Sequence, residues 1–402
     1  MPGLLGVQVP MKTLLLTACL ACLATFAPLA GADPEMKGSL TTLHGVKILT
    51  LGGTPRENGF ARGYLMAKEI QDTLGVIDVL MPAGIDFGFV EGMVLPKLVR
   101  PDPERQEMEG VIDGLKAKLG GDGLTLARIG HPLTADDLWA ILAIPDLKCS
   151  AFAAWGSMTA DGGLIFGRNL DYGGMGKASG GACIVVHREP ERSWIDFTLS
   201  PLPDCSTAIG QDGRCAAILD ANSTGAATGP ANLRAFALAH FFDLKLDANP
   251  FADQAATLFR GIPILRGTNF ILGDPRGGAV VAEYDSNLAK DSGVTMRQPA
   301  AGQEWIVVTN HFCARTTTRD NGDRYEKLDQ ALNQMHSAGT KIAGLDDGRT
   351  VISRAANHDT LLTLVYWQSQ RTVSVSFTDG RTQAAEMPPI TFTLDELFNP
   401  KP

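Results

Sequence analysis

The middle of the chain alternates apolar and polar residues in short runs, whereas the stretches before and after it carry apolar residues at helical spacing. VKILTLGG, ending at Gly53, reads as a strand closed by a turn. ENGFARGYLMAKEIQDTLG (57–75) reads as one helix stopped by its last glycine. Residues 84–148 read as mostly helical: Asp102-Pro103-Glu104 opens one helix, and Thr134 to Asp137 cap another that Pro145-Asp146 ends. From Cys149 the texture changes. CSAFAAWGSMTADGGLIFGRNLDY (149–172) predicts a β-hairpin turning at Asp161-Gly162-Gly163. Strands follow at 182–189, 194–200 and 207–221, the last with a turn at Asp212-Gly213. Two helices fill 230–262, a hairpin spans 269–285, a strand covers 304–310 and a helix covers 323–337. A last hairpin pairs 360–367 with 372–377. Helices bracketing a strand-rich middle predict an α+β layered fold, not the alternating βαβ of a nucleotide fold.

Residues 1–32 carry one charge, Lys12, ahead of an apolar run that ends Ala30-Gly31-Ala32 before Asp33-Pro34-Glu35. A positive start, an apolar stretch and an A-x-A site predict a signal peptide over 1–32, and hence a periplasmic or secreted protein. An uncleaved anchor and lipoprotein processing at Cys19 are the weaker readings. No later segment approaches the length that crosses a bilayer, so no membrane partner is expected after cleavage. Lys+Arg number 35 against 44 Asp+Glu, a formal charge of −9. That balance argues against a nucleic-acid binder and against a surface made for anionic lipid. Of seven Cys, two leave with the leader, and Cys149, Cys183, Cys205, Cys215 and Cys313 remain. An odd number leaves at least one thiol outside any disulfide, and no Cys-x-x-Cys survives to make a zinc ribbon.

No H-E-x-x-H, G-x-S-x-G, Walker or EF-hand pattern is present, and the seven His are scattered without metal spacing. Neither a metal nor a cofactor is expected. The Gly-rich 171–182 is read as a loop between strands rather than a phosphate cradle. What remains is Cys149, at the start of a strand, with Arg168 and Asp171 on the return strand of its hairpin. A guanidinium beside a thiol favours the thiolate, and a carboxylate can orient an amine.

Cys149-Ser150-Ala151-Phe152, Asp161-Gly162 and Gly167-Arg168-Asn169-Leu170-Asp171-Tyr172 resemble the opening of the β-chain in N-terminal-nucleophile (Ntn) amide hydrolases. The resemblance is closest to the acyl-coenzyme A:6-aminopenicillanic acid acyltransferase-like family (peptidase family C45), and more distant to choloylglycine hydrolases and acid ceramidases. Ile48 to Pro55 with Gly59 and Gly63, Val307 to Phe312, Asp323-Arg324-Tyr325 with Leu328, and Thr360 to Phe377 resemble further blocks of it in order. The resemblance covers roughly 46–380. It implies a four-layer αββα sandwich made as a precursor and cut at Lys148–Cys149. The products are an α-chain or pro-segment of 33–148 and a β-chain of 149–402 that stay one compact unit.

The roles it implies are these. Cys149 is the nucleophile, and its freed α-amino group is the base. Arg168 supports the ionised thiol, Asp171 binds the α-amino group, Asn310 donates its amide to the oxyanion, and Arg324 is a second active-site arginine. For the other oxyanion donor Asn222 is preferred to Asp220, whose charge would repel the oxyanion. Lys148 departs from the small residue often found before the nucleophile. The implied function is an exported hydrolase of linear amides working through an acyl-thioenzyme, with acyl transfer as a sister outcome and a small-molecule amide or acyl substrate as partner. A phospholipase-B-like ester hydrolase and an inactive exported binding protein are the alternatives. The sequence carries no signal of oligomeric state.

Overall fold

The computed structural model describes residues 36–75, 86–144, 148–173, 179–189, 192–223, 229–288, 291–315 and 323–399. The leader expected over 1–32, the Pro145-Asp146 break and residues 174–178 of the Gly-rich loop lie outside them. Lys37–Pro402 is one compact unit.

The strands, in chain order, are β1 (Gly38–Leu43), β2 (Val46–Leu51), β3 (Lys148–Ala154), β4 (Ile165–Asp171), β5 (Cys183–Arg188), β6 (Ser193–Thr198), β7 (Thr207–Gly210) and β8 (Cys215–Asp220). They continue with β9 (Thr268–Gly273), β10 (Ala279–Tyr284), β11 (Val294–Arg297), β12 (Trp305–Val308), β13 (Thr360–Trp367), β14 (Thr372–Phe377) and β15 (Ile390–Thr393). They form two sheets, ordered β1-β2-β5-β6-β7-β8-β9-β10-β11 and β12-β3-β4-β13-β14-β15. Alternate residues of a strand face opposite sides. Ile184, Val186, Ile195, Phe197, Ala217, Leu219 and Ile271 of the larger sheet therefore meet Cys149, Ala151, Phe166, Leu364, Tyr366 and Val375 of the smaller in one buried layer.

The opposite faces are covered by helices. On the larger sheet, α1 (Pro55–Leu65), α2 (Ala67–Leu74), α3 (Phe87–Val94), α4 (Asp102–Leu119) and α5 (Ala135–Ala143) bury Leu49, Leu51, Cys183 and Val185. Beside them α6 (Arg234–Asp243) and α7 (Phe251–Arg260) cover Ala216, Ile218, Phe270 and Leu272. On the smaller sheet, α8 (Arg324–Ser337) and α9 (Leu345–Ser353) cover Phe152, Ile165, Val307 and Val365. The layers are thus helix, sheet, sheet, helix: the four-layer αββα sandwich that the resemblance implied.

Two departures from the sequence reading have local causes. Residues 57–75 are not one helix. Met66, fully buried, leaves helical geometry (φ −112°, ψ 23°), and α1 and α2 end and begin there. The strand ending near Gly53 has an unforeseen partner, because His44 and Gly45 both take positive φ (51° and 84°) and turn β1 directly onto β2. That two-residue loop is the kind whose twist suits a hairpin.

The conspicuous glycines of the first helix serve packing. Gly59 and Gly63 on α1 face Gly110 and Gly114 on α4. A Cβ on Gly63 would stand 2.2 Å from the Val111 carbonyl oxygen, and one on Gly114 2.2 Å from that of Phe60. Backbone rather than side chain is in the way, so relief requires the helices to part. Gly63→Ala is expected to lower unfolding stability by about 1–3 kcal/mol. Gly92→Ala on α3, where nothing lies within 4 Å, is expected to raise it by about 0.4–1 kcal/mol. Denaturant midpoints of the two variants check the contrast.

Candidate active site

The hairpin register sets the site. β3 and β4 pair Lys148 with Asp171, Cys149 with Leu170 and Ala151 with Arg168. Alternation then puts Cys149 and Arg168 on the same inter-sheet face, two register positions apart. The thiol has no exposed surface. Burial pushes the Cys149 thiol up. Arg168 pulls it back, the Asp171 charge pushes it up, and the Asp171 backbone N–H, donated to the sulfur, lowers it again. Arg168 is itself fully buried: Nη2 donates to the Ile218 carbonyl at 3.1 Å, while Nε and Nη1 find no hydrogen-bond partner among the described residues. It is a fixed cation with spare donors next to the sulfur.

The backbone of Cys149 is gripped on both sides. Its N–H donates to Asn310 Oδ1 at 2.7 Å, and its carbonyl accepts from Arg324 Nη1 at 3.2 Å. Arg324 Nη2 also donates to Asn310 Oδ1 at 2.9 Å, and Nη1 to Asp171 Oδ2 at 2.9 Å. With two donors converging on it, that end of the Asn310 amide must be the oxygen. Its Nδ2 donates to the Asp220 carbonyl at 2.6 Å.

Each member has a support of its own. Buried Asn269, on β9, donates to the carbonyls of Thr309 (2.9 Å) and His311 (2.8 Å), fixing the bend that presents Asn310 just past β12. Thr360 Oγ1 donates to Asp171 Oδ1 at 2.7 Å, and Asn357 Nδ2 to Oδ2 at 3.2 Å. Burial pushes the Asp171 carboxyl up, and the Thr360 hydroxyl, Arg324 and Arg168 hold it back down.

Cys149, Asp171, Asn310 and Arg324 are therefore tied into one hydrogen-bonded cluster, with Arg168 on the same inter-sheet face as the thiol. Lys148 is exposed. Asn222 stands apart: it lies two residues past the end of β8, is exposed, and has no hydrogen bond into the cluster among the described residues. The Asp220 carboxylate is paired with Arg234 at 2.8 Å, so this residue serves the cluster through its backbone carbonyl. Asn269, Asn357 and Thr360 were not singled out from the sequence. Only Thr360, the opening residue of the closing hairpin and the register partner of Asp171, carried any signal there. No disulfide joins the remaining cysteines among the described residues: Cys183, Cys205 and Cys215 are buried and Cys313 is exposed.

Residues 246–382, a third of the chain, match the family model described as acyl-coenzyme A:6-aminopenicillanic acid acyl-transferase. The matched stretch holds Asn269, Asn310, Arg324, Asn357 and Thr360. No curated protein sequence matches the chain. Among solved structures, a Caenorhabditis elegans N-acylethanolamine-hydrolyzing acid amidase ortholog is 18% identical with TM-score 0.39, over 55% of this chain and 93% of that one. Penicillin V acylase from Agrobacterium tumefaciens is 12% identical with TM-score 0.39, over 61% of this chain and 85% of that one. A single-residue variant of conjugated bile acid hydrolase from Clostridium perfringens is 11% identical with TM-score 0.40, over 63% of this chain and 95% of that one. At these values the solved structures carry no weight beyond the likeness. The chain is thus an αββα protein similar, over residues 246–382, to the acyl-transferase family.

Arg324 neutralises a nearly fully buried carboxylate. Arg324→Met is expected to lower stability by about 3–5 kcal/mol at neutral and alkaline pH, because Asp171 loses its charge partner. The deficit shrinks as pH falls: burial already raises Asp171 above its usual range, losing Arg324 raises it further, and a protonated carboxyl needs no cation. Chemical denaturation of parent and variant at several pH values checks both size and sign.

Proposed function

We propose that this protein is an exported, self-cutting N-terminal-cysteine hydrolase of linear amides, able to pass the acyl group to other acceptors. The observation that carries the reading is the grip of Asn310 and Arg324 on the two backbone ends of Cys149, with Asp171 bound to the same guanidinium and Arg168 beside the thiol.

In the uncut chain the thiol attacks the Lys148 carbonyl and the acyl bond shifts from nitrogen to sulfur, which frees the residue's amine; water then hydrolyses the thioester, releasing the Lys148 carboxylate and restoring the thiol. The amine, near pKa 8 when unperturbed, then serves as base for its own thiol. Asn310 Oδ1 already receives the hydrogen on that nitrogen, and the same oxygen suits the freed amine. Asp171 and Arg324 balance the charge around it, and Arg168 favours the thiolate against the upward push of burial. An amide substrate loses its amine and leaves an acyl group on sulfur, which water or another nucleophile removes. In this reading the side-chain amide of Asn310 is an oxyanion donor, and Asn222, exposed and apart from the cluster, is not assigned that role. Loss of one such donor costs about 10²–10³ in rate. The leader over 1–32 directs export.

Paired substrates with one acyl chain, one an amide and one an ester, test the reaction. Turnover of the amide, with the acyl mass found on the Cys149 peptide and absent in Cys149→Ala, is expected. Turnover of the ester alone would assign a phospholipase-B-like hydrolase. An unmodified Cys149 with neither substrate consumed would leave a binding protein.

A further inference from the structure

The Cys149 cluster leaves one other nucleophile-bearing group unused. Cys313 is the exposed cysteine among the described residues; Cys149, Cys183, Cys205 and Cys215 are buried. Its sulfur lies 3.5 Å from His311 Nε2. The other ring nitrogen, Nδ1, lies 3.0 Å from Thr309 Oγ1, and Thr309 is buried. In the tautomer that donates Nδ1–H to this hydroxyl, Nε2 turns its lone pair toward the sulfur. A nucleophile, a base within reach and a third group orienting the base are the parts an activated thiol needs.

The rest of the setting holds the pair rigid. Cys313 N–H donates to Glu283 Oε1 at 2.8 Å, and Ala314 and Arg315 N–H donate to Oε2 at 2.8 and 3.1 Å. Glu283 is fully buried and paired with Arg297 at 2.9 Å, so the segment bearing the thiol is anchored to the floor of β10. The Tyr325 ring stands edge-on to the imidazole at 5.2 Å. Such a constellation is more than an exposed cysteine needs in order to pack.

We propose that Cys313 and His311 form a second activated thiol, a site of thiol–disulfide exchange with low-molecular-weight disulfides. His311 Nε2 takes the thiol proton and the sulfur attacks one sulfur of the disulfide. The S–S bond of the reagent breaks as the Cys313 mixed disulfide forms. The departing thiolate receives the proton from His311, so one disulfide is consumed and one thiol released per chain. The site does not depend on what Cys149 does. It is nonetheless close to that cluster in sequence: His311 follows Asn310, and Tyr325 follows Arg324.

The test uses the protein freed of residues 1–32 and carrying Cys149→Ala, so that neither Cys149 nor the leader's Cys19 and Cys22 plays a part, with dithiobis(nitrobenzoate) as the disulfide. One equivalent of nitrothiobenzoate is expected in a fast phase without denaturant, with the adduct mass on the Cys313 peptide. Cys313→Ser removes the phase, and His311→Gln slows it at pH 7 by about tenfold or more. Thr309→Val, which leaves the imidazole in place but unoriented, slows it as well and stands in if His311→Gln does not fold. A fast phase that survives Cys313→Ser overturns the proposal. So does an unchanged rate in the folded His311→Gln variant or, failing that variant, in Thr309→Val.

Discussion

A single amide hydrogen organises the region around Cys149. The N–H of this residue is donated to a side-chain oxygen, and the guanidinium that shares this oxygen also holds the carbonyl of the same residue. Both ends of one residue are thereby fixed by side chains from elements far apart in the chain, Asn310 beyond β12 and Arg324 at the start of α8. An edge-of-strand residue with ordinary ladder bonds would need neither. The grip also sets the orientation of the Asn310 amide. With the oxygen turned to Cys149, the nitrogen must find its acceptor elsewhere, and the end of β8 supplies it through the Asp220 carbonyl.

The two-sheet core makes this arrangement tolerable. A buried arginine and a buried aspartate each carry a desolvation cost of several kcal/mol, which is sustained only where opposite charge and hydrogen bonds meet them. Asp171 has Arg324, Thr360 and Asn357. Arg168 has one carbonyl and the nearby Asp171 and Cys149, and its unmatched donors mark where negative charge is wanted. The thiol is the only uncharged member of that group able to become negative there. Burial works against its ionisation and the guanidinium works for it.

Local patterns carried the hairpin of Cys149 to Asp171 and most later strands, because each lies between turn residues and alternates by twos. Their order pointed to an α+β layering, whereas the four-layer sandwich entered through the family likeness. The split at Met66 was hidden because apolar spacing continues through it, and the hairpin of β1 because His44-Gly45 is an inconspicuous turn. At the site, Cys149, Arg168 and Asp171 were legible from chain proximity, whereas Asn310 and Arg324 entered through family likeness. Asn269 and Asn357 were out of reach. Each reaches a partner 40 or more residues away, through a hydrogen bond that only the assembled sheets create, and neither sits in a pattern that singles it out.

The central claim is that the backbone opens at Cys149 and frees its nitrogen. N-terminal sequencing of the purified protein, with the intact masses of its pieces, addresses this directly. The account predicts a chain beginning at Cys149 in the parent and an uncut chain in Cys149→Ala. A single uncut chain in both, with the parent's Cys149 nitrogen still in peptide linkage, would contradict it.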